Sequence, residues 1–430
     1  MKKVYITTPI FYVNDKPHIG HAYTTIICDS LAKFYKLCGS SVLFTTGTDE
    51  HGLKVEKAAK NQNMLPIKFV EKVSKNFKDL TKKIELSNTD FIRTTEDRHK
   101  KSAQAFWKIL NKNNQIYLSK YKGWYSVKDE SFYQEKELKK KGDSLYTSDD
   151  EKVEWIEEES FFFKLSNWQN SLLDYYEKNP QFILPKSRMN EVKSFVKSGL
   201  KDLSISRTSF KWGIQVEESR NHIMYVWIDA LVNYLTSIGF PKNKNYLNDF
   251  WINCIHVIGK DILKFHAVYW PAMLMAANLP LPKTIFAHGW WTNEGKKISK
   301  SLGNSIDPNH MIDSFGLDQF RFFLLREVTL GKDGDFSISS FKNRINSDLS
   351  NNLGNLIQKI LKFINKNFDG KILSNLDSNN LSSYPLDNTY KLFKKVEKLI
   401  MNFEINRALE EIFNVVSILN KFMDDSEPWN

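Results

Sequence analysis

The sequence predicts an α/β fold that is split by an insertion and followed by a helical domain. Three observations carry this. Strand and helix patterns alternate at the start, a β-rich aromatic texture interrupts them in the middle, and only helical periodicity remains after about Ser340. At 430 residues the chain is too long for one ordinary core, so several domains are expected.

Val4 to Thr8 is a short apolar, β-branched strand that Pro9 breaks. The turn-rich stretch Asn14-Asp15-Lys16-Pro17 follows, and Gly20 opens a helical pattern with Ile26, Ile27, Leu31, Phe34 and Tyr35 on one face. Ser41 to Thr46 reads as the next strand, ended by Gly47, and Leu53 begins another helix. Such alternation predicts a parallel sheet with crossover helices, binding its ligands at the carboxyl ends of the strands. From about Lys120 to Glu159 short aromatic strands (Trp124-Tyr125, Phe132-Tyr133, Trp155-Ile156) alternate with charge runs such as Lys139-Lys140-Lys141. The α/β texture returns near Tyr225 to Tyr234, with Ile252 to Ile258 as a buried strand. Beyond Ser340, Leu349, Leu353, Leu356, Ile357 and Ile360 recur at helical spacing. An Asp369-Gly370 turn and the Ser/Asn-rich stretch from Ser374 to Ser383 divide two helical segments.

Composition narrows the class. Hydrophobic residues at 41% with 26% charged fit a folded, soluble chain rather than a disordered one. Sixty-one Lys and Arg against fifty Asp and Glu leave a net charge of +11. That excess suits a polyanionic partner, and equally suits lysine written on every solvated face. Cys28, Cys38 and Cys254 are scattered, which excludes a disulfide scaffold or a Cys-rich zinc module and fits a reducing compartment. The first residues lack the pattern of a secretory signal. No apolar run approaches the ~20 residues needed to cross a bilayer, so a cytoplasmic location without a membrane partner is expected.

Two segments carry chemistry. His18-Ile19-Gly20-His21 sits where the first strand's loop enters a helix. A helix N-terminus offers backbone N–H groups and partial positive charge, Gly20 permits close approach, and two imidazoles on one turn can donate to phosphate. A pair of capping or solvated histidines is the alternative. The second is Lys296-Lys297-Ile298-Ser299-Lys300-Ser301, preceded by His288-Gly289-Trp290 and followed by Gly303-Asn304. Lysines on such a loop can neutralise a polyphosphate as charge builds in a transition state. Alone it reads as a solvated turn; beside His-x-Gly-His it points to nucleotide chemistry.

Taken together, these motifs resemble those of class I aminoacyl-tRNA synthetases, HIGH and KMSKS, written here as His18 to His21 and Lys-Ile-Ser-Lys-Ser. The resemblance is closest to the methionyl members. Thr8-Pro9-Ile10-Phe11-Tyr12-Val13-Asn14, Gly47-Thr48-Asp49-Glu50-His51-Gly52, Tyr225-Val226-Trp227-Ile228-Asp229-Ala230, Gly259-Lys260-Asp261-Ile262 and Asn351-Asn352-Leu353-Gly354-Asn355-Leu356 support it along the whole chain. It implies a Rossmann-like catalytic domain in two halves (1–117 and 219–288) around an inserted connective module (118–218). A KMSKS and stem-contact region (289–342) and an all-α anticodon-binding domain (343–430) follow. The helical domain of the family continues beyond Glu427-Pro428-Trp429-Asn430, so the last domain is expected to be incomplete.

The resemblance also implies roles. ATP, with its Mg²⁺, falls to His18, Gly20, His21, Gly259, Asp261, His288, Gly289, Lys297 and Lys300; of these His18, His21, Lys297 and Lys300 are catalytic. Methionine falls to Ile10, Tyr12, Asp49, Trp227, Ala230, Leu231, Tyr234, Ile262, Phe265 and His266, with Asp49 meeting the ammonium group. Asn355, Lys359 and Trp429 match the anticodon readers of tRNA(Met), with Lys359 standing where the family often has Arg. Between Tyr121 and Phe161 there is no Cys and no His, so the zinc knuckle of many relatives is not expected, and no other metal site is predicted. DNA is not an expected partner. The alternatives are a leucyl, isoleucyl, valyl or cysteinyl synthetase, and more remotely a small-molecule nucleotidyltransferase with a HIGH motif.

Overall fold

The computed structural model describes residues 2–13, 15–127, 131–133, 135–298, 304–372 and 386–429. The chain forms two compact units, Met1–Pro17 with Ile27–Ala287, and His18–Ile26 with His288–Asn430. Residues 18–26 thus group with the second unit, although the first strand–helix pattern contains them.

A seven-stranded sheet organises the first unit. Its order is Ile183–Leu184, Thr284–His288, Cys254–Gly259, Lys3–Thr7, Ser41–Asp49 and Phe11–Tyr12, with Asp90–Arg93 also paired to Ser41–Asp49. Lys3–Thr7 runs parallel to both neighbours, so that Tyr5 stands beside Leu43 and Cys254. Two stretches far apart in sequence therefore share one sheet, and the α/β domain is Rossmann-like and interrupted. Buried Tyr5, Phe106, Trp107, Phe163, Trp251 and Trp270 anchor its core.

One strand departs from expectation. Ser41–Asp49 continues through Gly47. A Cβ at Gly47 would lie 2.0 Å from the Ile92 carbonyl oxygen, so the glycine marks the close approach of Asp90–Arg93 and not a strand end. The extension carries Asp49 to the carboxyl edge of the sheet.

The insertion is built on two long antiparallel strands, Ile116–Ser126 and Val153–Phe163, flanked by Ser131–Tyr133 and Leu203–Ser204. The short aromatic strands read from sequence are parts of this sheet. Trp124 lies opposite both Trp155 and Tyr133, and the two tryptophan rings meet edge-on at 5.2 Å. Charge is complementary across the two long strands as well: Lys120 faces Glu159 and Lys122 faces Glu157, the latter pair 2.7 Å apart, whereas Lys139-Lys140-Lys141 pairs with Ser144–Tyr146.

In the second unit Trp291–Asn293 and Lys296–Lys297 form a hairpin. Glu294 and Gly295 both have positive φ, the left-handed pair that a two-residue hairpin loop requires. Gly334–Phe336 pairs parallel to the same strand, and Trp291, Phe323, Phe336 and Phe341 pack together above it. The helices Asn355–Phe368, Leu386–Met401 and Ile405–Ser426 complete the described part. Of the apolar stripe expected on the first, Leu356 is buried while Ile357 and Ile360 stay exposed. Asp369 and Gly370 make the expected turn with positive φ, and the stretch from Ser374 to Ser383 lies outside the described residues.

Candidate functional site

In the first unit the segment Thr48 to Gly52 is fastened on both sides of Asp49. Val13 donates its N–H to the Asp49 carbonyl at 3.2 Å, and Tyr12 donates its hydroxyl to the His51 carbonyl at 3.0 Å. Glu50 is fully buried and accepts from Arg93 Nε at 2.7 Å and Nη2 at 3.1 Å, from Thr48 at 2.8 Å and from Thr95 at 2.5 Å. Trp212 donates its indole N–H to the Glu50 carbonyl at 2.6 Å. Asp49 is itself buried, at the end of a strand, with its backbone carbonyl hydrogen-bonded to Val13.

The helix Val226–Thr236 and the π-turn Phe265–Tyr269 carry the aromatic residues. Trp227 and Phe265 stack face to face, 3.7 Å between centroids and 5° from parallel. His266 Nδ1 lies 3.0 Å from the Ile262 carbonyl and Nε2 lies 2.7 Å from the Tyr234 hydroxyl. A carbonyl only accepts, so Nδ1 carries the proton and Tyr234 donates to Nε2. Burial pushes the His266 pKa down to about 4, with the Ile262 carbonyl and Asp261 only partly opposing it. Burial likewise pushes the Tyr234 hydroxyl up, so the pair is neutral at pH 7. His256 lies beside Tyr234, 4.2 Å between centroids, and burial, then His266, hold it well below the usual imidazole range. This cluster of side chains is aromatic and uncharged at pH 7.

The other expected residues of this unit lie on the same or adjoining elements of the chain. Ala230 and Leu231 are buried on the same helix, Ile10, Tyr12 and Ile262 are half-buried, and Gly259 and Asp261 end the Cys254–Gly259 strand and begin the turn after it. In the sequence Asp229 stands only as part of a motif, yet it is the one carboxylate of this helix and it meets two imidazoles. Its Oδ2 accepts from His51 Nδ1 and its Oδ1 from His99 Nε2, each at 2.6 Å. Burial alone would raise its pKa, but the two imidazoles outweigh that and hold it at about 2.

In the second unit His18 and His21 stand at the start of the Ile19–Leu37 helix with ring centroids 3.9 Å apart. The expectation that backbone N–H groups there await a phosphate is corrected. His18 N–H donates to His21 Nδ1 at 3.0 Å, Gly20 N–H to His18 Nδ1 at 3.1 Å, and Ile19 N–H to the Ile306 carbonyl at 3.1 Å. Both Nδ1 atoms are acceptors, so each neutral ring carries its proton on Nε2. The glycine serves the same arrangement, since a Cβ at Gly20 would meet His18 Cε1 at 2.9 Å. With both rings neutral, the side-chain donor protons of this turn sit on the two Nε2 atoms.

His288 is buried and engaged within the protein, Nε2 at 2.8 Å from Thr24 Oγ1 and Nδ1 at 2.8 Å from the Gly289 carbonyl. It holds the first turns of that helix. At Gly289 a Cβ would lie 2.2 Å from the Lys332 carbonyl oxygen, so this glycine admits backbone. Lys297 ends the hairpin; Ser299 to Gly303, Lys300 included, lie outside the described residues. Asn355 is exposed, Lys359 pairs with Asp424 at 2.5 Å, and Trp429 is 48% exposed.

Comparison with known proteins agrees with these features. The family model described as tRNA synthetases class I (M) matches residues 4–149 and 143–361. A methionine–tRNA ligase of Rickettsia felis is 54% identical over 99% of this chain and 83% of its own length. One of Brucella suis is 48% identical over 100% of this chain and 83% of its own. Among solved structures, a Mycobacterium tuberculosis methionyl-tRNA synthetase in complex with methionyl-adenylate superposes with a TM-score of 0.96 at 44% identity, covering 100% of this chain and 85% of that one.

Proposed function

The chain belongs to the class I tRNA synthetases of the methionine type, and we infer from this that it catalyses methionine–tRNA ligation. It activates L-methionine with ATP to methionyl-adenylate and pyrophosphate, and transfers the methionyl group to the 3′-terminal ribose of tRNA(Met). The observation that carries the substrate choice is the neutral Tyr234–His266 pair beside the Trp227–Phe265 stack. A thioether has no strong hydrogen-bonding handle, so it is recognised by aromatic contact and a weak donor. A charged wall would favour a different side chain. ATP–pyrophosphate exchange run with methionine, leucine and cysteine in parallel tests this. Exchange with methionine alone is expected, and equal exchange with leucine would refute the reading.

We assign Asp49 to the ammonium group, where a buried carboxylate held by its neighbours forms a charge-assisted bond without reorganisation. Ile10, Tyr12, Trp227, Ala230, Leu231, Tyr234, Ile262, Phe265 and His266 form the side-chain pocket. His18 and His21 donate from Nε2 to the ATP phosphates, and Lys297 and Lys300 balance the charge that develops on pyrophosphate. Gly259 and Asp261 border the nucleotide. His288 supports the His18–His21 turn through Thr24 and does not itself need to touch ATP. Neither step needs a covalent enzyme intermediate, so positioning and charge stabilisation are the whole task of these residues. Mg²⁺ enters with ATP.

Residues 343–430 read the anticodon, and the inserted sheet of 118–218 carries no structural zinc. Tyr121 to Phe161 offers neither thiol nor imidazole, and carboxylates alone are a poor set for tetrahedral zinc. Elemental analysis of the purified protein is expected to find no stoichiometric zinc; one tightly held ion per chain would overturn this. We place the activity in the cytoplasm, where charged tRNA is consumed. No helix among the described residues is long and apolar enough to cross a membrane.

A further inference from the structure

A buried carboxylate is retained at a position where an apolar residue would pack more cheaply. Asp229 lies 1% exposed in the first turn of the helix that also bears Trp227 and Tyr234. Taking an ionised carboxylate out of water is unfavourable unless every lone pair is matched. Here the match comes from two other elements. His51 follows Asp49 by two residues, and its Nδ1 reaches Asp229 Oδ2 at 2.6 Å. His99 stands on the Asp97–Lys112 helix, reaches Oδ1 at 2.6 Å, and places its other nitrogen 3.2 Å from Thr236 Oγ1 on the pocket helix. An ionised carboxylate only accepts, so both imidazoles present N–H to it. With all four groups buried, these bonds are short, dry and directional.

The connection matters because methionine offers two handles some distance apart, an ammonium group and a thioether. One is assigned to Asp49 at a strand end, the other to the aromatic residues of the Val226–Thr236 helix. The Glu50–Arg93 clamp fixes the Asp49 segment against the neighbouring Asp90–Arg93 strand, not against that helix. The Asp229–His51 bond makes the second tie.

We propose that Asp229 is a positioning residue: through His51 it sets where the Asp49 carboxylate stands relative to Trp227 and Tyr234, and so governs the demand for a free α-ammonium group on the substrate. The proposal rests on the assignment of Asp49 given above. A misplacement of about 1 Å at such a contact costs up to ~10²-fold.

The test uses the intact chain and ATP–pyrophosphate exchange. The probes are methionine and, as a competitive inhibitor, 4-(methylsulfanyl)butanoate, which is methionine without its amino group. Asp229→Asn is expected to raise the KM for methionine roughly 10- to 100-fold, with the KM for ATP and the inhibition constant of the amino-less analogue nearly unchanged. Combined with Asp49→Asn, it should add little to the loss that Asp49→Asn causes alone. His51→Ala should reproduce the selective loss. His51→Asn, whose amide sets a donor where Nδ1 stood, should recover most of it, and this pair keeps the test decisive if Asp229→Asn does not fold. Equal weakening of methionine and the analogue, additive losses in the double variant, or a lowered melting temperature with an unchanged methionine KM would overturn the proposal. If Asp49→Asn itself leaves the preference for methionine over the analogue intact, the Asp49 assignment fails and takes this proposal with it.

Discussion

His21→Asn is expected to slow single-turnover formation of methionyl-adenylate by ~10²–10³-fold, the usual loss for one donor aimed at developing charge. The choice of asparagine follows from the geometry of the turn. His21 Nδ1 accepts the His18 N–H at 3.0 Å. An asparagine amide oxygen occupies nearly the place of Nδ1, so the helix start keeps its bond and the melting temperature should stay near that of the parent. What disappears is the Nε2–H on the far side of the ring. His21→Gln is the matching control, since its amide nitrogen reaches nearer to where Nε2 stood and should retain part of the rate. The loss should appear in kcat and in kcat/KM together, with the methionine KM little altered, because the donor acts in the transition state. A parental rate in His21→Asn would mean that the imidazole only caps the helix.

Trp429→Ala is expected to reduce aminoacylation of tRNA(Met) by roughly ten- to a hundredfold, the range for one base stacked on an aromatic ring. The same variant should leave methionine-dependent ATP–pyrophosphate exchange near the parental level. From sequence, Trp429 could equally have been packed inside the helical bundle. In this chain nearly half of its surface is open, beyond the end of the Ile405–Ser426 helix. Unstacked anticodon bases offer their faces to such a ring, whereas a duplex would offer only shape. Lys359 contributes less in this reading, because its ammonium is already paired with Asp424 at 2.5 Å and must exchange one partner for another. Loss of both assays together, or a fall in melting temperature with an unchanged tRNA KM, would show that Trp429 serves the fold.

Much of this protein was legible before any coordinate. A Pro-broken apolar strand, a glycine at a helix start and alternating strand and helix patterns are local signals, and they determined the parallel α/β sheet, its interruption and the helical end. The HIGH and Lys-Ile-Ser-Lys-Ser segments likewise announced nucleotide chemistry, because their chemistry is carried by residues adjacent in the chain. Tertiary structure alone decided the rest. Gly47 looks like a strand terminator until Ile92 is seen 2.0 Å from where its Cβ would be. His18, Gly20 and His21 looked like one phosphate cradle, yet the backbone N–H groups of His18 and Gly20 are spent on the two imidazoles and that of His21 on the His18 carbonyl, which leaves the donor protons on the distal ring nitrogens. Asp229, His51 and His99 are separated by 130 to 178 positions where they bond, and no local pattern can reveal that an ordinary helical aspartate is the meeting point of two imidazoles. Periodicity reports which face of an element is apolar; it is silent on which distant polar atoms that face will bring within hydrogen-bonding reach, because that depends on how the chain closes on itself and not on any neighbour in sequence.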